Sequence, residues 1–169
     1  MVIFMNLYSK IKISRGSDKS SFKEKVFHQI GALCYRFTDK KVQFLLITSR
    51  RSKRWIIPKG WKVDEMSNRK SVALEAWEEA GVQGCVSKRS IGTYYYRKRT
   101  GKNEFLTCAV KVFGLEVKAR KKKFPEYGQR KLTWVEATEA IEIVTEPELK
   151  NLIKKFSAQI EKISILSDD

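Results

Sequence analysis

The chain has very few of the residues that build zinc sites and imidazole-activated nucleophiles. His28 is the only histidine, and the three cysteines, Cys34, Cys85 and Cys108, lie far apart without a Cys-x-x-Cys pair. This pattern argues against a Cys/His zinc site. A serine or cysteine nucleophile activated by an imidazole would depend on His28 alone. We expect the cysteines to be small core residues in a reducing compartment.

Acidic residues and long apolar runs are also scarce. The 169 residues include 19 Asp and Glu against 35 Lys and Arg, which gives a formal charge of +16. Such a charge attracts phosphates, nucleic acid or anionic lipid, although lysine is also an ordinary solubilising residue. The apolar run at residues 1–8 is too short to span a bilayer and lacks a basic leader. We therefore expect a cytoplasmic protein without a membrane partner.

Hydrophobic residues make up 42% of the chain, enough to form one packed domain of this length. We expect residues 1–21 to form a tail or an extra edge strand, and residues 22–166 to form a single domain. Segments with strand composition lie at residues 26–36, 42–48, 55–57, 82–98, 104–117 and 132–135, with a loop at 60–67. Strands followed by a helix, more strands and a last helix predict one layered α/β (α+β) domain.

Two helices are predicted from local signals. Residues 68–80 follow an N-cap at Ser67 or Asn68 and end at Gly81. A second helix near the C-terminus is predicted because apolar residues recur there at helical spacing. Packing of its apolar face on the sheet is favoured over a role at a membrane surface.

Three glutamates in the first predicted helix carry the chemical signal. Glu75, Glu78 and Glu79 are spaced i, i+3 and i+4, so their carboxylates share one helix face. Oxygen ligands on a rigid element suit Mg²⁺ or Mn²⁺. Taken alone, such a triplet is more often a solvated face neutralised by lysines, so the surrounding pattern decides.

The segment around these glutamates resembles the Nudix box, a 23-residue pattern of glycines, glutamates and apolar residues. The matching positions are Gly60, Glu75, Glu78, Glu79, Gly81 and Val82. Two positions depart from the family pattern. Met66 stands where the family has a loop glutamate, with Glu65 one residue earlier. Leu74 stands where the family has an arginine that orients a metal-binding glutamate.

This resemblance implies an α/β/α sandwich with a mixed sheet and an Mg²⁺-dependent (or Mn²⁺-dependent) pyrophosphohydrolase. Its implied metal ligands are Glu75, Glu78 and Glu79, of which Glu78 and Glu79 are also the implied catalytic residues. In such a site the metal lowers the pKa of a water, and a nearby carboxylate accepts its proton. Glu79 is the first candidate for a position near this base, although family members differ in which glutamate has that role.

From about residue 29 to residue 156, the chain is similar to the diphosphoinositol polyphosphate phosphohydrolases, which also cut diadenosine polyphosphates. The matching pieces are Ser49-Arg50, residues 55–58, residues 96–99, residues 128–131 and Trp134. The resemblance and the position of cations in loops imply substrate contacts by Arg50, Lys59, Arg97, Arg130 and Lys131. Glu126 is a further candidate to bring a carboxylate from a loop, although a surface ion pair is the simpler interpretation.

Three functions remain open from the sequence. The first is hydrolysis of a dinucleoside polyphosphate or an inositol pyrophosphate. The second is an RNA 5′-end pyrophosphohydrolase, which the charge suits although no RNA-recognition motif is present. The third is a degenerate domain that binds RNA or another polyanion without cutting it, motivated by Met66 and Leu74. We expect a small anionic polyphosphate as partner, with nucleic acid as the second candidate; the oligomeric state stays open.

Overall fold

The computed structural model describes residues 26–38, 41–102 and 104–166 of the chain. These residues form an eight-stranded mixed sheet and three helices. The strands are β1 (Val26–Thr38), β2 (Lys41–Thr48), β3 (Trp55–Ile56), β4 (Lys59–Trp61), β5 (Val82–Val86), β6 (Gly92–Arg99), β7 (Phe105–Arg120) and β8 (Leu132–Glu136). The helices are α1 (Asn68–Ala80), α2 (Ala137–Ile143) and α3 (Pro147–Leu166). The predicted tail at residues 1–21 and the domain boundary at residue 22 lie outside the described residues.

Strand β1 organises the sheet because its two halves have different partners. The path of the sheet runs β3-β2-β1-β7-β5, with β4 paired to β1, β6 to β7 and β8 to β2. The first half of β1 pairs with β4, where Gln29 faces Trp61, and its second half pairs with β2, where Tyr35 faces Phe44. Only the β1–β7 pair is parallel among the described strands. Strands β3 and β4 therefore pair with different strands, β2 and β1, although only Ile57 and Pro58 separate them in the chain.

The helices cover both faces of this sheet, so the expected α/β/α sandwich with a mixed sheet is confirmed. Because strand side chains alternate, Ala32 of β1 packs with Val72 and Ala76 of α1. Its neighbour Leu33 packs on the other face with Ile153 of α3. The predicted packing of the C-terminal helix on the sheet is thus confirmed. None of the described helices is long and apolar enough to cross a membrane.

Helix α1 begins and ends where its local sequence predicts. The Ser67 hydroxyl accepts a hydrogen bond from the Lys70 amide at 3.3 Å and caps the first turn. Gly81 adopts a left-handed conformation with φ of 68°, and its amide donates to the carbonyls of Ala76 and Trp77. These two caps fix the length of the helix that carries the three glutamates.

Other local predictions were wrong, and at residues 82–98 and 60–67 contacts with distant residues are the reason. Residues 82–98 form two strands rather than one, because the Ser87 hydroxyl accepts from the Gly114 amide and donates to the Arg89 carbonyl at the break. The expected loop at residues 60–67 begins inside strand β4, which exists through its pairing with β1. Helix α2 has no side-chain cap and gave no sequence signal. Cys85, expected in the core, is exposed.

Replacing Gly81 with alanine is expected to destabilise the fold by more than the strain of a left-handed alanine, which costs roughly 1–2 kcal/mol. The added Cβ would overlap the ring of Phe124, which packs on this helix end. Gly128→Ala is the matched control, since Gly128 also has a positive φ, of 78°, but no atom lies within 4 Å of its Cβ position. Thermal unfolding of both variants measures the difference. Equal losses would contradict a role for the Phe124 contact.

Candidate active site

The carboxylates of α1 lie on the side of the helix that meets strand β4. Glu75 and Glu79 are each only 8% exposed, and Glu78 is half-buried. Gly60 of β4 packs so close to Glu75 that any Cβ at residue 60 would overlap the Glu75 carboxylate. The glycine at this position therefore makes the space that the buried carboxylate occupies.

Lys59 brings both a backbone donor and a cation to the same place. Its amide donates to Oε2 of Glu79 at 2.9 Å. Its ammonium lies 4.8 Å from the ring centroid of Tyr96, whose hydroxyl donates to Gln29 at 2.7 Å. Burial lowers the pKa of Lys59, while the charge of Glu79 opposes that shift. Lys59 is thus fixed beside the carboxylates, as its predicted role in substrate binding requires.

The loop between β7 and β8 adds a fourth carboxylate and a buried cation. The Arg130 guanidinium donates to Glu126 through Nε at 2.7 Å, to the Thr48 carbonyl through Nη1 at 3.0 Å, and to Glu79 through Nη2. The other oxygen of Glu126 lies 3.4 Å from Nη1 of Arg50. Glu126 therefore belongs to the cluster through Arg130 and is at the same time in an ion pair with the exposed Arg50.

Backbone hydrogen bonds attach this loop to the end of α1. The Lys121 amide donates to the Gly81 carbonyl at 2.7 Å, and the Glu126 amide donates to the Glu78 carbonyl at 3.0 Å. On the far side of the loop, the Lys131 amide donates to the Thr48 hydroxyl at 3.0 Å. The loop thus joins the helix to strand β2 and fixes Glu126 and Arg130 relative to Glu79.

Burial and mutual repulsion both act on the pKa values of the three glutamates of α1. Burial, followed by the charges of Glu79, Glu78 and Glu126, raises the pKa of Glu75 to about 8. Burial also raises the pKa of Glu78, and Glu126 and Glu79 add to that shift. For Glu79, burial raises the pKa while Arg130 and Lys59 lower it. Burial and the neighbouring carboxylates thus disfavour the charged form of these glutamates, which is the condition that favours a divalent cation.

The oxygen-only donor set fits Mg²⁺ or Mn²⁺. Within residues 26–38, 41–102 and 104–166, no three acidic, histidine or cysteine side chains already converge on one point as metal ligands. The charges of Glu78, Glu79 and Glu126 act on Glu75, so the four carboxylates lie in one region. Within it, Glu79 is held by Arg130 and by the Lys59 amide. Metal binding at this site would therefore draw the carboxylates together from the positions described.

The cations predicted to contact substrate fall into different surroundings. Arg50 lies beside Glu126 and is exposed, so it reaches the site. The Lys131 side chain is exposed. Arg97 stacks on Phe105 at 4.6 Å, and strand alternation places it on the opposite face of β6 from Tyr96. Arg130 has three protein partners instead of a free guanidinium.

Lys98 is the site cation that sequence reasoning passed over. Its ammonium lies 5.2 Å from the ring of Trp61 and its charge acts on Lys59, so it belongs to the face of β6 that borders the carboxylates. Alternation from Tyr94, which is fully buried, would have identified this face, because residues 94, 96 and 98 share it. Tyr95, between Tyr94 and Tyr96, lies on the other face of β6 and is 51% exposed.

Known proteins resemble this chain in sequence and in fold. Nudix hydrolase 16, mitochondrial, of Arabidopsis thaliana is 32% identical over 120 residues, which are 69% of this chain and 66% of the relative. Nudix hydrolase 13, mitochondrial, of the same plant is 28% identical over 70% of this chain and 61% of the relative. The chain thus spans somewhat less than two thirds of the length of these relatives. No protein-family model matches the chain.

Solved structures also share this fold. The solved structure of Ap4A hydrolase from C. elegans matches with a TM-score of 0.61, covering 80% of this chain and 99% of that one at 22% identity. At that identity the match concerns the fold. The sequence relatives, the sandwich fold and the glutamates of α1 beside Gly60 agree with one another, and together they show that this chain belongs to the Nudix hydrolase family.

Proposed function

We propose that this chain hydrolyses a phosphoanhydride bond in a nucleoside polyphosphate, with a divalent cation held by Glu75, Glu78 and Glu79 and with Glu126 beside them. The observation that carries the proposal is the placement of the carboxylates: Glu75 is buried against Gly60, the Lys59 amide holds Glu79, and Arg130 joins Glu79 to Glu126. Such a cluster is costly unless a cation or a proton neutralises it. Mg²⁺ is the first candidate for that cation, with Mn²⁺ as the alternative.

When bound, the cation would supply Lewis acidity and lower the pKa of a water. The protein groups provide the rest of the chemistry. Glu79 is the candidate base, because two donors fix its carboxylate and each oxygen keeps a lone pair. Lys59 and Arg50 lie on either side of the carboxylates and would hold the phosphates of the substrate. Positioning by these fixed groups is the main catalytic contribution that we assign to the protein.

The proposed substrate is a dinucleoside polyphosphate, with an inositol pyrophosphate as the competing member of the same class. The fold match to an Ap4A hydrolase supports the first. The rings of Trp61 and Phe27 lie 6.3 Å apart on the face that carries Lys59, and aromatic rings suit a base rather than an inositol ring. Lys98 beside Trp61 would contact the phosphates of either compound.

A second candidate function is the binding of RNA or another polyanion without cleavage. Leu74 and Met66 favour it, since they replace two polar residues of the box pattern. The excess of basic residues agrees with such a partner as well. An RNA 5′-end pyrophosphohydrolase lies between the two proposals, because it needs both the charge and the catalytic carboxylates.

Purified protein with Mg²⁺ or Mn²⁺ is expected to release nucleotide from diadenosine polyphosphates, and Glu79→Gln is expected to reduce kcat by roughly 100-fold or more. The panel should include an inositol pyrophosphate and triphosphorylated RNA, with products resolved by chromatography. Glu139→Gln, an exposed glutamate of α2, is the matched control. No metal-dependent turnover on any compound, together with salt-sensitive RNA binding, would reject the enzyme and support the second function.

Gly60→Ala is expected to lower kcat by roughly 100-fold, because the new methyl group must displace the Glu75 carboxylate. Gly101→Ala is the control, since its nearest contact is the flexible end of Glu104 at 3.1 Å. Steady-state kinetics with matched thermal unfolding would separate loss of activity from loss of fold. Normal activity of Gly60→Ala would remove Glu75 from the proposed site.

The stability of the metal-free protein is expected to depend on pH through Glu75. Its pKa is raised from 4.5 to about 8 in the folded state, so its contribution is present below about pH 4.5 and lost as pH rises through 8. Glu75→Gln imitates the protonated side chain and lacks this loss. In chelator-treated samples, the melting temperature of the wild type should therefore fall relative to Glu75→Gln between pH 5 and pH 8.5. Parallel curves would contradict the shifted carboxyl.

A further inference from the structure

Arg130 is an enclosed cation of the site. Its side chain is 5% exposed, and its Nε, Nη1 and Nη2 each have a separate protein acceptor: Glu126, the Thr48 carbonyl and Glu79. A guanidinium with this many fixed partners has little freedom to follow a moving substrate. The planar group instead sets the separation and the direction of the carboxylates that it touches.

Helix α1 offers no cation of its own to its three glutamates. After Lys70, its sequence runs Ser-Val-Ala-Leu-Glu-Ala-Trp-Glu-Glu-Ala without a basic residue. Leu74, which stands where the box pattern has arginine, is half-buried and apolar. The charge that holds Glu79 must therefore come from another part of the chain, and Arg130 supplies it from a loop 51 residues away.

The loop that carries Arg130 is itself fixed at three points. The Glu126 amide binds the Glu78 carbonyl, the Gln129 amide binds the Glu126 carbonyl, and the Lys131 amide binds the Thr48 hydroxyl. Arg130 thus joins a rigid loop to the buried glutamate of α1. Arg50 differs from Arg130, because the Arg50 side chain is 60% exposed and its ion pair is with Oε1 of Glu126.

We propose that Arg130 is a positioning residue that holds Glu79 and Glu126 in register for metal binding, in place of a cation on helix α1. This inference rests on the proposed metal-dependent hydrolysis, and it replaces the phosphate contact predicted for Arg130 from the sequence. Each oxygen that accepts from Arg130 keeps a second lone pair for a metal. Arg130 therefore acts on the reaction through the two carboxylates, without touching the substrate.

The test compares Arg130→Lys and Arg130→Met with the wild type in three measurements: Mn²⁺ affinity by calorimetry, kcat and KM for a diadenosine polyphosphate, and thermal unfolding. We expect the Mn²⁺ dissociation constant to rise about tenfold or more in both variants. We expect kcat to fall while KM changes by less than about threefold. Lysine should not rescue the loss, because it cannot reproduce the three-way planar geometry. Arg36→Lys, which loses a guanidinium contact with Gln43 away from the site, is the control.

Two results would overturn the proposal. A rise in KM that grows with the number of phosphates, at unchanged kcat and Mn²⁺ affinity, would show a direct phosphate contact. Tighter Mn²⁺ binding after loss of Arg130 would show that the guanidinium competes with the metal. A wild type that binds Mn²⁺ but cleaves nothing would reject the proposed hydrolysis, while the Mn²⁺ affinities of the variants would still decide the role of Arg130.

Discussion

Four carboxylates close enough to repel one another impose the main constraint on this fold. Glu75, Glu78 and Glu79 share a helix face, and Glu126 comes from the loop that docks on the end of that helix. Burying such charges is costly unless donors or cations compensate them. The surroundings supply part of this compensation through the Lys59 amide and the Arg130 guanidinium. Burial and then the neighbouring carboxylates raise the pKa of Glu75, and these carboxylates define where a divalent cation would bind.

The division of strand β1 between two partners explains how these groups meet. The first half of β1 pairs with β4 and its second half pairs with β2. Because β3 also pairs with β2, the chain passes from β2 to β1 at Ile57 and Pro58, between β3 and β4. Lys59 and Gly60 follow directly and lie against α1, where one donates to Glu79 and the other leaves space for Glu75. The site thus depends on a feature of sheet topology as much as on the helix that carries its ligands.

Local signals were sufficient to predict the helix but not its partners. Ser67 and Gly81 form hydrogen bonds with residues at most five positions away in the chain. The bounds of α1 could therefore be predicted from the sequence. Arg130 could be named as a site residue, but two of its three partners are 51 and 82 residues away in the chain, so its role could not be predicted. Arg97 lies on the opposite face of β6 from Tyr96, because a strand places adjacent side chains on opposite faces, and the burial of Tyr94 identifies which face is inside.

The chain combines a strongly positive total charge with a negative centre, and the two serve different steps. The field of a net charge of +16 would draw an anionic substrate toward the surface. In physiological salt this field extends over roughly a Debye length of 8–10 Å. At contact distance the four carboxylates would repel the same phosphates. A cation bound among them would offset this repulsion, so the basic surface would favour approach and the metal would favour retention of the proposed substrate. Loss of that cation would leave a protein that attracts polyphosphates and rejects them at its centre. For that reason, control of the carboxylates by Arg130 bears on how tightly the cation would be held and, through the cation, on turnover.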